Sequence, residues 1–359
     1  MNFHSQPYLL VKGNEILLVG LCNQKFVLAS AKLKKCSCYC PACGEKLVLR
    51  SGSIKICHFA HIKGSDCCSS EGETTEHLQG KKQLLEWAVK NHIHAELEVY
   101  LPEIHQRPDV LLTRNNGQRI ALEFQCSPLS VKRLRERNEG YQSMNIKVWW
   151  ILGSPYIKRK LTRQKIAQFL QIRNNKPVLL FWSTKQQKLI SKIYEIEPLQ
   201  HPSKEYKYSL TKQIQLIQKK IRMKDVSIVD LQTLCYLNHR NLAGVPFAAH
   251  NLRLVFDLLI PNELHWRVDI LMKLNLMPIN YAWNKNRWME RLIDCGNWLD
   301  FPCICTAIIS RWRFEFVSAF MEDLAKYGII KISDTRVMYI NKAKWFENSD
   351  QKINLVKQK

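Results

Sequence analysis

The architecture turns on Pro108-Asp109-Val110-Leu111-Leu112-Thr113-Arg114-Asn115-Asn116-Gly117-Gln118-Arg119-Ile120-Ala121-Leu122-Glu123-Phe124-Gln125. Two apolar runs flank Asn115-Asn116-Gly117, a strong hairpin signal, so each of two adjacent strands carries one carboxylate out of an otherwise apolar stretch. Burying Leu111, Leu112, Leu122 and Phe124 is favourable, whereas bringing two like charges beside them is not. A divalent cation is the simplest thing that offsets this cost. Mg2+ or Mn2+ would be held by Asp109 and Glu123, with waters and substrate phosphates filling the remaining positions. Register decides whether the two acids meet. A two-residue turn at Asn116-Gly117 sets Asp109 opposite Phe124, with the carboxylates on opposite faces. A three-residue loop, Asn115-Asn116-Gly117 with Gly117 left-handed, pairs Asp109 with Glu123, and this register is the one expected.

At 359 residues the chain is long enough for two or three domains, each with its own core. Its net charge of +23 and pI near 9.5 attract polyanions. Nucleic acid is the first candidate partner and an anionic membrane surface the second. No apolar run reaches the roughly 18–20 residues of a membrane span. Val11 to Leu21, interrupted by Lys12, Asn14 and Glu15, does not read as a signal peptide. Thirteen cysteines without an export signal point to the reducing cytoplasm, where metal binding and buried thiols are expected ahead of disulfides. There are no internal repeats and no Gly-rich phosphate loop to suggest an ATPase.

Cys36, Cys38, Cys40 and Cys43 crowd one short stretch, and Cys57, His58, His61, Cys67 and Cys68 another. Residues 47–56 between them read as a small hairpin. Cys40-Pro41-Ala42-Cys43-Gly44 is a CxxC turn that aims two thiolates at one ion, and His58-Phe59-Ala60-His61 can close a structural Zn2+ site from the far strand end. Two ligand sets compete: His58 with His61, or one histidine with Cys67. Cys36, Cys38, Cys57 and Cys68 are expected as ordinary thiols.

Residues 74–89 read as a helix capped by Thr74 or Thr75, with Leu78, Leu85 and Ala88 at helical spacing. Glu76 and His77 fall in its first turn and Lys81 one turn on. After Gln125, Ser127-Pro128 reads as the cap and first residue of a basic helix through Lys132, Arg133, Arg135 and Arg137 to about Tyr141. Residues 146–152 form a buried strand ending at Gly153.

A helix with a leading acid, a hairpin with Asp and then Glu-x-Gln, and another helix make up the layout of the PD-(D/E)xK nuclease core. Together these pieces resemble the competence protein CoiA family of Gram-positive bacteria. The matching segments are Cys40-Pro41-Ala42-Cys43, His58-Phe59-Ala60-His61, Glu76-His77 with Lys81, Pro108-Asp109-Val110, Ala121 to Ser127, Arg137 with Tyr141, and Trp150-Ile151-Leu152. The resemblance covers roughly residues 10–155. It implies an α/β restriction-endonuclease-like core, a mixed sheet flanked by helices, with a small N-terminal zinc-binding β domain and a mostly α-helical C-terminal domain. It also implies a cytoplasmic protein acting on incoming DNA, single-stranded in particular, during natural transformation and recombination, alongside recombination proteins. Catalytic roles would fall to Glu76, His77, Lys81, Asp109, Glu123 and Gln125. Where nucleases of this fold keep a lysine two residues after the second acid, this chain has Gln125, which can orient a water but supplies no positive charge. Lys81 or Lys82 could restore that charge from the helix. Two functional classes follow: a Mg2+- or Mn2+-dependent nuclease, and a non-cleaving DNA-binding adaptor that loads recombination proteins on single strands.

The expected domains are residues 1–70, 71–182 and 200–359, with a boundary at His201-Pro202-Ser203-Lys204. From Pro155 to Lys176 there are basic residues and no acidic ones. A phosphate-facing helix there would add Lys158, Arg159, Lys160 and Arg163 to the DNA contacts of Arg133 and Arg137. Residues 178–182 read as a strand and 204–325 as mostly helical. The tryptophans at 266, 283, 288, 298 and 312 are expected in the core more often than stacked on bases. Residues 314–327 read as a helix followed by a basic hairpin, the ending of a winged-helix module. The polar tail after Trp345 is expected to fray.

Overall fold

The computed structural model describes residues 16–52, 56–62, 67, 74–197, 209–253 and 256–357. The chain divides into two compact units, Met1–Ile193 and Tyr194–Lys359. The boundary expected at residues 201–204 and the thiol of Cys68 lie outside the described residues.

Unit 1 opens with short antiparallel strands β1 (Ile16–Leu17), β2 (Val19–Cys22), β3 (Lys25–Leu28), β4 (Cys38–Tyr39), β5 (Lys46–Arg50) and β6 (His58–His61), in the order β1-β6-β5-β4-β2-β3. The expected small hairpin is β5 with β6. Its second arm starts at His58, beyond the residue-56 limit read from sequence, with Leu47 opposite His61. Leu17, Leu47 and Phe59 pack with Cys22, Cys38, Cys40 and Cys67 in a small core. Cys38 departs from expectation. It faces Cys22 directly across β2 and β4, and the two are joined as a disulfide. Their spacing hides this, because strand β3 and a loop separate two strands that lie side by side.

Next come α1 (Thr75–Lys90), β7 (His94–Leu97), β8 (Val110–Thr113), β9 (Arg119–Gln125), α2 (Val131–Ser143), β10 (Lys147–Leu152), α3 (Ser154–Ile157), α4 (Arg163–Phe169), β11 (Gln171–Arg173), β12 (Lys176–Ser183) and β13 (Lys188–Ile193). They build a mixed sheet ordered β11-β12-β10-β9-β8-β7, with β13 also on β12. β9 and β12 run parallel to β10, and the other pairs are antiparallel. A parallel neighbour needs a crossover, and α2 supplies the one from β9 to β10. Period-two alternation assigns the faces. Val110, Leu112, Ile120, Leu122 and Phe124 pack with Leu78, Leu84 and Ala88 of α1, whereas Leu111 and Ala121 pack with Tyr141 of α2.

The β8–β9 connection is the three-residue loop. Gly117 N–H donates to Arg114 O (2.8 Å), Arg114 N–H to Gln118 O (3.0 Å), and Gly117 is left-handed at φ +77°. Val110 lies opposite Leu122 and Leu111 opposite Ala121, so Asp109 is carried toward Glu123. Helix α2 starts later than expected and is capped by Ser130, which accepts from Arg133 N–H (3.1 Å). Ser127 is taken up by side-chain contacts described below. The helix expected over 155–176 is instead two short helices and a strand. Asn174 and Asn175, both left-handed at φ 48° and 59°, form the tight turn between β11 and β12, a turn that no continuous helix allows.

Unit 2 contains α5 (Leu210–Arg222), α6 (Val229–Leu237), α7 (Glu263–Asn275), β14 (Ala282–Asn284), α8 (Lys285–Asp294), α9 (Thr306–Lys326), β15 (Ile330–Ile332), β16 (Arg336–Tyr339) and α10 (Ser349–Lys357). The three strands form an antiparallel sheet ordered β14-β16-β15. Trp266, Trp288 and Trp312 are buried with Phe316 and Phe320, and Trp283 and Trp298 are half-buried, so none of these tryptophans stands exposed on the surface. The polar tail does not simply fray. Its helix α10 places Lys352 wholly inside, with Nζ 2.8 Å from His250 Nε2. Burial holds Lys352 down at about 7 and His250 well below its ordinary value. Among the described residues no helix is long and apolar enough to cross a membrane.

Candidate functional site

Two clusters in unit 1 carry chemistry. In the first, ligand atoms of Cys40, Cys43, His61 and Cys67 all lie within 4.8 Å of one another. The CxxC turn is built for this. Gly44 N–H donates to Cys40 O (2.9 Å), Gly44 takes φ +74°, and Ala42 N–H points at Cys40 Sγ (3.4 Å). Cys40 Sγ and Cys67 Sγ are 3.9 Å apart, and Cys43 Sγ is 3.3 Å from His61 Nε2. A tetrahedral Zn2+ with its usual bond lengths needs sulfur–sulfur edges of roughly 3.8 Å, so the donor set fits that ion. Burial pushes the Cys40 and Cys43 thiols up, which disfavours bare thiolates at this place. His58 is not in the cluster. Three residues from His61 along β6, it points to the other face, and its Nδ1 lies 2.7 Å from Ile56 O. Cys67 stands where the first ligand set put His58.

The second cluster lies at the ends of β8 and β9. Asp109, Glu123, Gln125, Phe124, His77, Thr74 and the loop Cys126–Leu129 line a pocket of about 220 Å³. Asp109 precedes β8, and its Oδ2 accepts from Phe124 N–H (2.7 Å), replacing a ladder carbonyl at the strand end. This turns it toward α1, where the same oxygen lies 3.1 Å from His77 Nε2 and Oδ1 lies 3.8 Å from Lys81 Nζ. The His77 ring stacks on Phe124 with centroids 5.8 Å apart. His77, Lys81 and the Phe124 amide together hold the Asp109 carboxyl well below the usual range, against the opposing effect of burial.

Glu123 points to the other helix. Arg137 Nη2 donates to both its oxygens (2.5 and 2.6 Å), and Tyr141 O–H donates to Oε1. Burial pushes Glu123 up to about 7; Arg137 pulls it down and Asp109 pushes it further up. The two acids are therefore offset by the protein's own cations, and a divalent ion is not needed to explain their burial. Arg137, expected on phosphate, is a buried partner of Glu123 instead. Position i+4 from Arg137 puts Tyr141 on the same helix face, which is why one turn of α2 supplies both donors.

Glu76 and His77, neighbours in the first turn of α1, diverge. Glu76 does not line the pocket; it accepts from Ser154 N–H (2.7 Å) and Ser154 Oγ–H (2.6 Å), serving the start of α3. Gln125 donates from Nε2 to Ser127 O (2.7 Å) and lies 3.2 Å from Ser127 Oγ, so its amide group braces the pocket loop. Lys81 is buried, with Nζ 2.5 Å from Glu98, whose other oxygen accepts from Leu18 and Val19 N–H (2.9 and 3.2 Å). Lys82 is exposed.

Residues 73–226 match the family described as competence protein CoiA, nuclease-like domain, and residues 22–70 match competence protein CoiA, N-terminal domain. The two matches together take in more than half of the chain. The chain belongs to the competence protein CoiA family. Over 129 residues it is 36% identical to competence protein CoiA of Bacillus subtilis (strain 168), a match covering 36% of this chain and 34% of that protein. The matched part thus spans about a third of the curated relative. No solved structure matches.

In this CoiA family chain the other basic residues expected on DNA are exposed or partly exposed. Arg133 is exposed next to Glu136 (3.6 Å); Lys158, Arg159 and Lys160 are exposed between α3 and α4, and Arg163 is partly exposed. Tyr156 O–H donates to Ser127 O (2.6 Å) and Gln168 Nε2 to Leu129 O (2.8 Å), tying the pocket loop to α3 and α4. Sequence reasoning missed Glu98. Its backbone donors Leu18 and Val19 are about 80 residues away along the chain, and nothing local marks it.

Proposed function

We propose that this protein is a Mg2+- or Mn2+-dependent deoxyribonuclease with a restriction-endonuclease-like core, acting in the cytoplasm on incoming DNA during natural transformation and recombination. The observation carrying this reading is the shared pocket of Asp109, Glu123 and His77 in a chain whose family is described as nuclease-like. Two carboxylates and an imidazole suit such an ion, the nitrogen favouring Mn2+ over Mg2+. Bound there, the ion would polarise a phosphodiester and lower the pKa of a coordinated water. Asp109 and His77 would face it directly, while Glu123 would release an Arg137 hydrogen bond to join. Lys81 contributes positive charge beside Asp109 in place of the lysine absent at Gln125, and Gln125 holds the loop that shapes the pocket. Lys158, Arg159, Lys160 and Arg163 flank the tied loop and would receive the strand's phosphates. In the N-terminal β region, Cys40, Cys43, His61 and Cys67 would hold a structural Zn2+.

The occupied state of Glu123 favours a second reading. With both oxygens on Arg137, the fold also suits a non-cleaving adaptor that binds single-stranded DNA and helps load recombination proteins. Digestion of plasmid and oligonucleotide substrates with Mg2+ or Mn2+ separates the two. Cleavage by wild type, abolished in Asp109→Ala, supports the nuclease. Metal-independent binding without cleavage supports the adaptor.

A further inference from the structure

In unit 2, α7, β14, α8, α9, β15 and β16 follow one another, and β14 joins the β15–β16 hairpin through β16. Helix, strand, two helices and a returning hairpin is the winged-helix order, in which the last helix and the hairpin form one face. The side chains are divided accordingly. Trp312, Phe316, Phe320 and Leu324 bury one side of α9. Thr306, Ala307, Ser310, Arg311 and Phe314 recur at helical spacing on the exposed side. On the hairpin, Ile330, Val337 and Tyr339 turn inward, while Lys331 and Arg336 turn outward. Lys285 N–H donates to Thr335 O (2.9 Å), which holds the hairpin turn at the start of α8.

We infer that this face is a duplex-DNA site, with the first turns of α9 in the major groove and Lys331 and Arg336 on the flanking phosphates. The major groove of B-form DNA is about 12 Å wide and admits one helix. Small residues in the first turns, Thr306, Ala307 and Ser310, let the helix approach closely. Their hydroxyls and the Arg311 guanidinium can meet base edges, and Ala307 and Phe314 can meet thymine methyls. Phe314 is 52% exposed, although the rest of the helix buries its aromatics. Arg311 rests on carboxylates, Glu197 at 2.8 Å and Glu315 at 3.7 Å, so an acceptor on DNA would replace an acceptor already there. A-form RNA is excluded as the natural ligand because its major groove is too narrow for a helix. The site lies beyond residue 226, where the nuclease-like match ends, and shares no residue with the carboxylate pocket.

Hydrogen exchange of the full-length protein, with and without a B-form duplex of about two turns, tests it. Slowed exchange is expected in residues 306–316 and 330–339, equally in Asp109→Asn protein, so that failure of the pocket reading leaves this result untouched. The double variant Lys331→Ala/Arg336→Ala should flatten the slope of log affinity for duplex against log salt by about 2, one phosphate contact per residue. Its Mn2+ binding at the pocket should be unchanged. Duplex binding without protection of these segments overturns the inference, as does a wild-type salt slope in the double variant. Equal protection by an RNA duplex overturns the major-groove placement.

Discussion

Arg137 offers one nitrogen to both oxygens of Glu123, while Tyr141 covers one of them from the next turn of the same helix. Removing the guanidinium leaves a buried carboxylate with a single donor. Arg137→Met should therefore lower stability by about 3 kcal/mol, and Arg137→Met/Glu123→Met should recover most of it, because an apolar pair replaces the ion pair. Urea unfolding of the three proteins checks this, and an additive double variant would show that the two groups are energetically unconnected. Lys352 poses the opposite problem, a cation buried against a neutral imidazole. Its folded value of about 7 lies below that of a free lysine, so the unfolded chain binds the extra proton between pH 7 and about 10.5. Stability should rise with pH across that window, with the burial penalty complete below pH 7. Lys352→Met should then stabilise unit 2 most at pH 7 and below, with the gain fading toward pH 10; a pH-independent gain in thermal melts would contradict this. The sequence made Asp109 and Glu123 legible, because each interrupts an apolar strand. What neutralises Glu123 was not legible: Arg137 read as a phosphate-facing cation, and only packing shows it buried. Lys81 was expected to bring its charge to the acids and lies beside Asp109, but its burial against Glu98 was not readable.

At the scale of elements, the CxxC turn and β6 meet through sheet pairing, and metal content follows from that geometry. One zinc per chain is expected, lost in Cys40→Ser, Cys43→Ser and Cys67→Ser but kept in His58→Ala, as read by elemental analysis. Loss in His58→Ala with retention in Cys67→Ser would reverse the ligand assignment. A structural site contributes folding free energy outright, so the zinc-losing variants should also be less soluble. Helix α1 crosses β9 at Gly80, where an added Cβ would fall 2.0 Å from the Phe124 ring. Helix propensity alone would favour Gly80→Ala by about 1 kcal/mol. Overpacking of about 1–3 kcal/mol should outweigh it, and displacement of Phe124 should disturb the stacked His77 ring. A stabilised Gly80→Ala protein in urea unfolding would mean that α1 can shift freely. The β8–β9 hairpin was readable, but Asn-Asn-Gly allows both a two-residue and a three-residue connection; the three-residue loop was expected because only its register brings Asp109 to Glu123, and it is the one observed. The 155–176 segment was misread because its basic, helix-like pattern conceals an Asn-Asn turn whose left-handed residues matter more than periodicity.

Across the molecule, charge is spread instead of gathered, and several phosphates should be neutralised together on any DNA strand bound. Log affinity should fall steeply with log salt for single-stranded substrates, and a slope near zero would assign the charge to another partner. The mixed sheet was expected from the family resemblance, whereas the alternation of strands and helices and the helical second unit follow from patterning that a sequence displays. The joining of the N-terminal strands to the larger sheet does not, because it is made by one carboxylate and two amides far apart in the chain. Glu98 grips Leu18 and Val19 by their backbone while neutralising Lys81, and both residues lie in one core with Leu78, Leu84 and Leu122. In the language of inheritance, the N-terminal strands are not an exchangeable attachment. A genetic crossover joining the segment after residue 70 to a different leader would remove Leu18 and Val19 from that core and take two backbone donors from the buried Glu98 beside Lys81, so such a hybrid should be less stable than its parent.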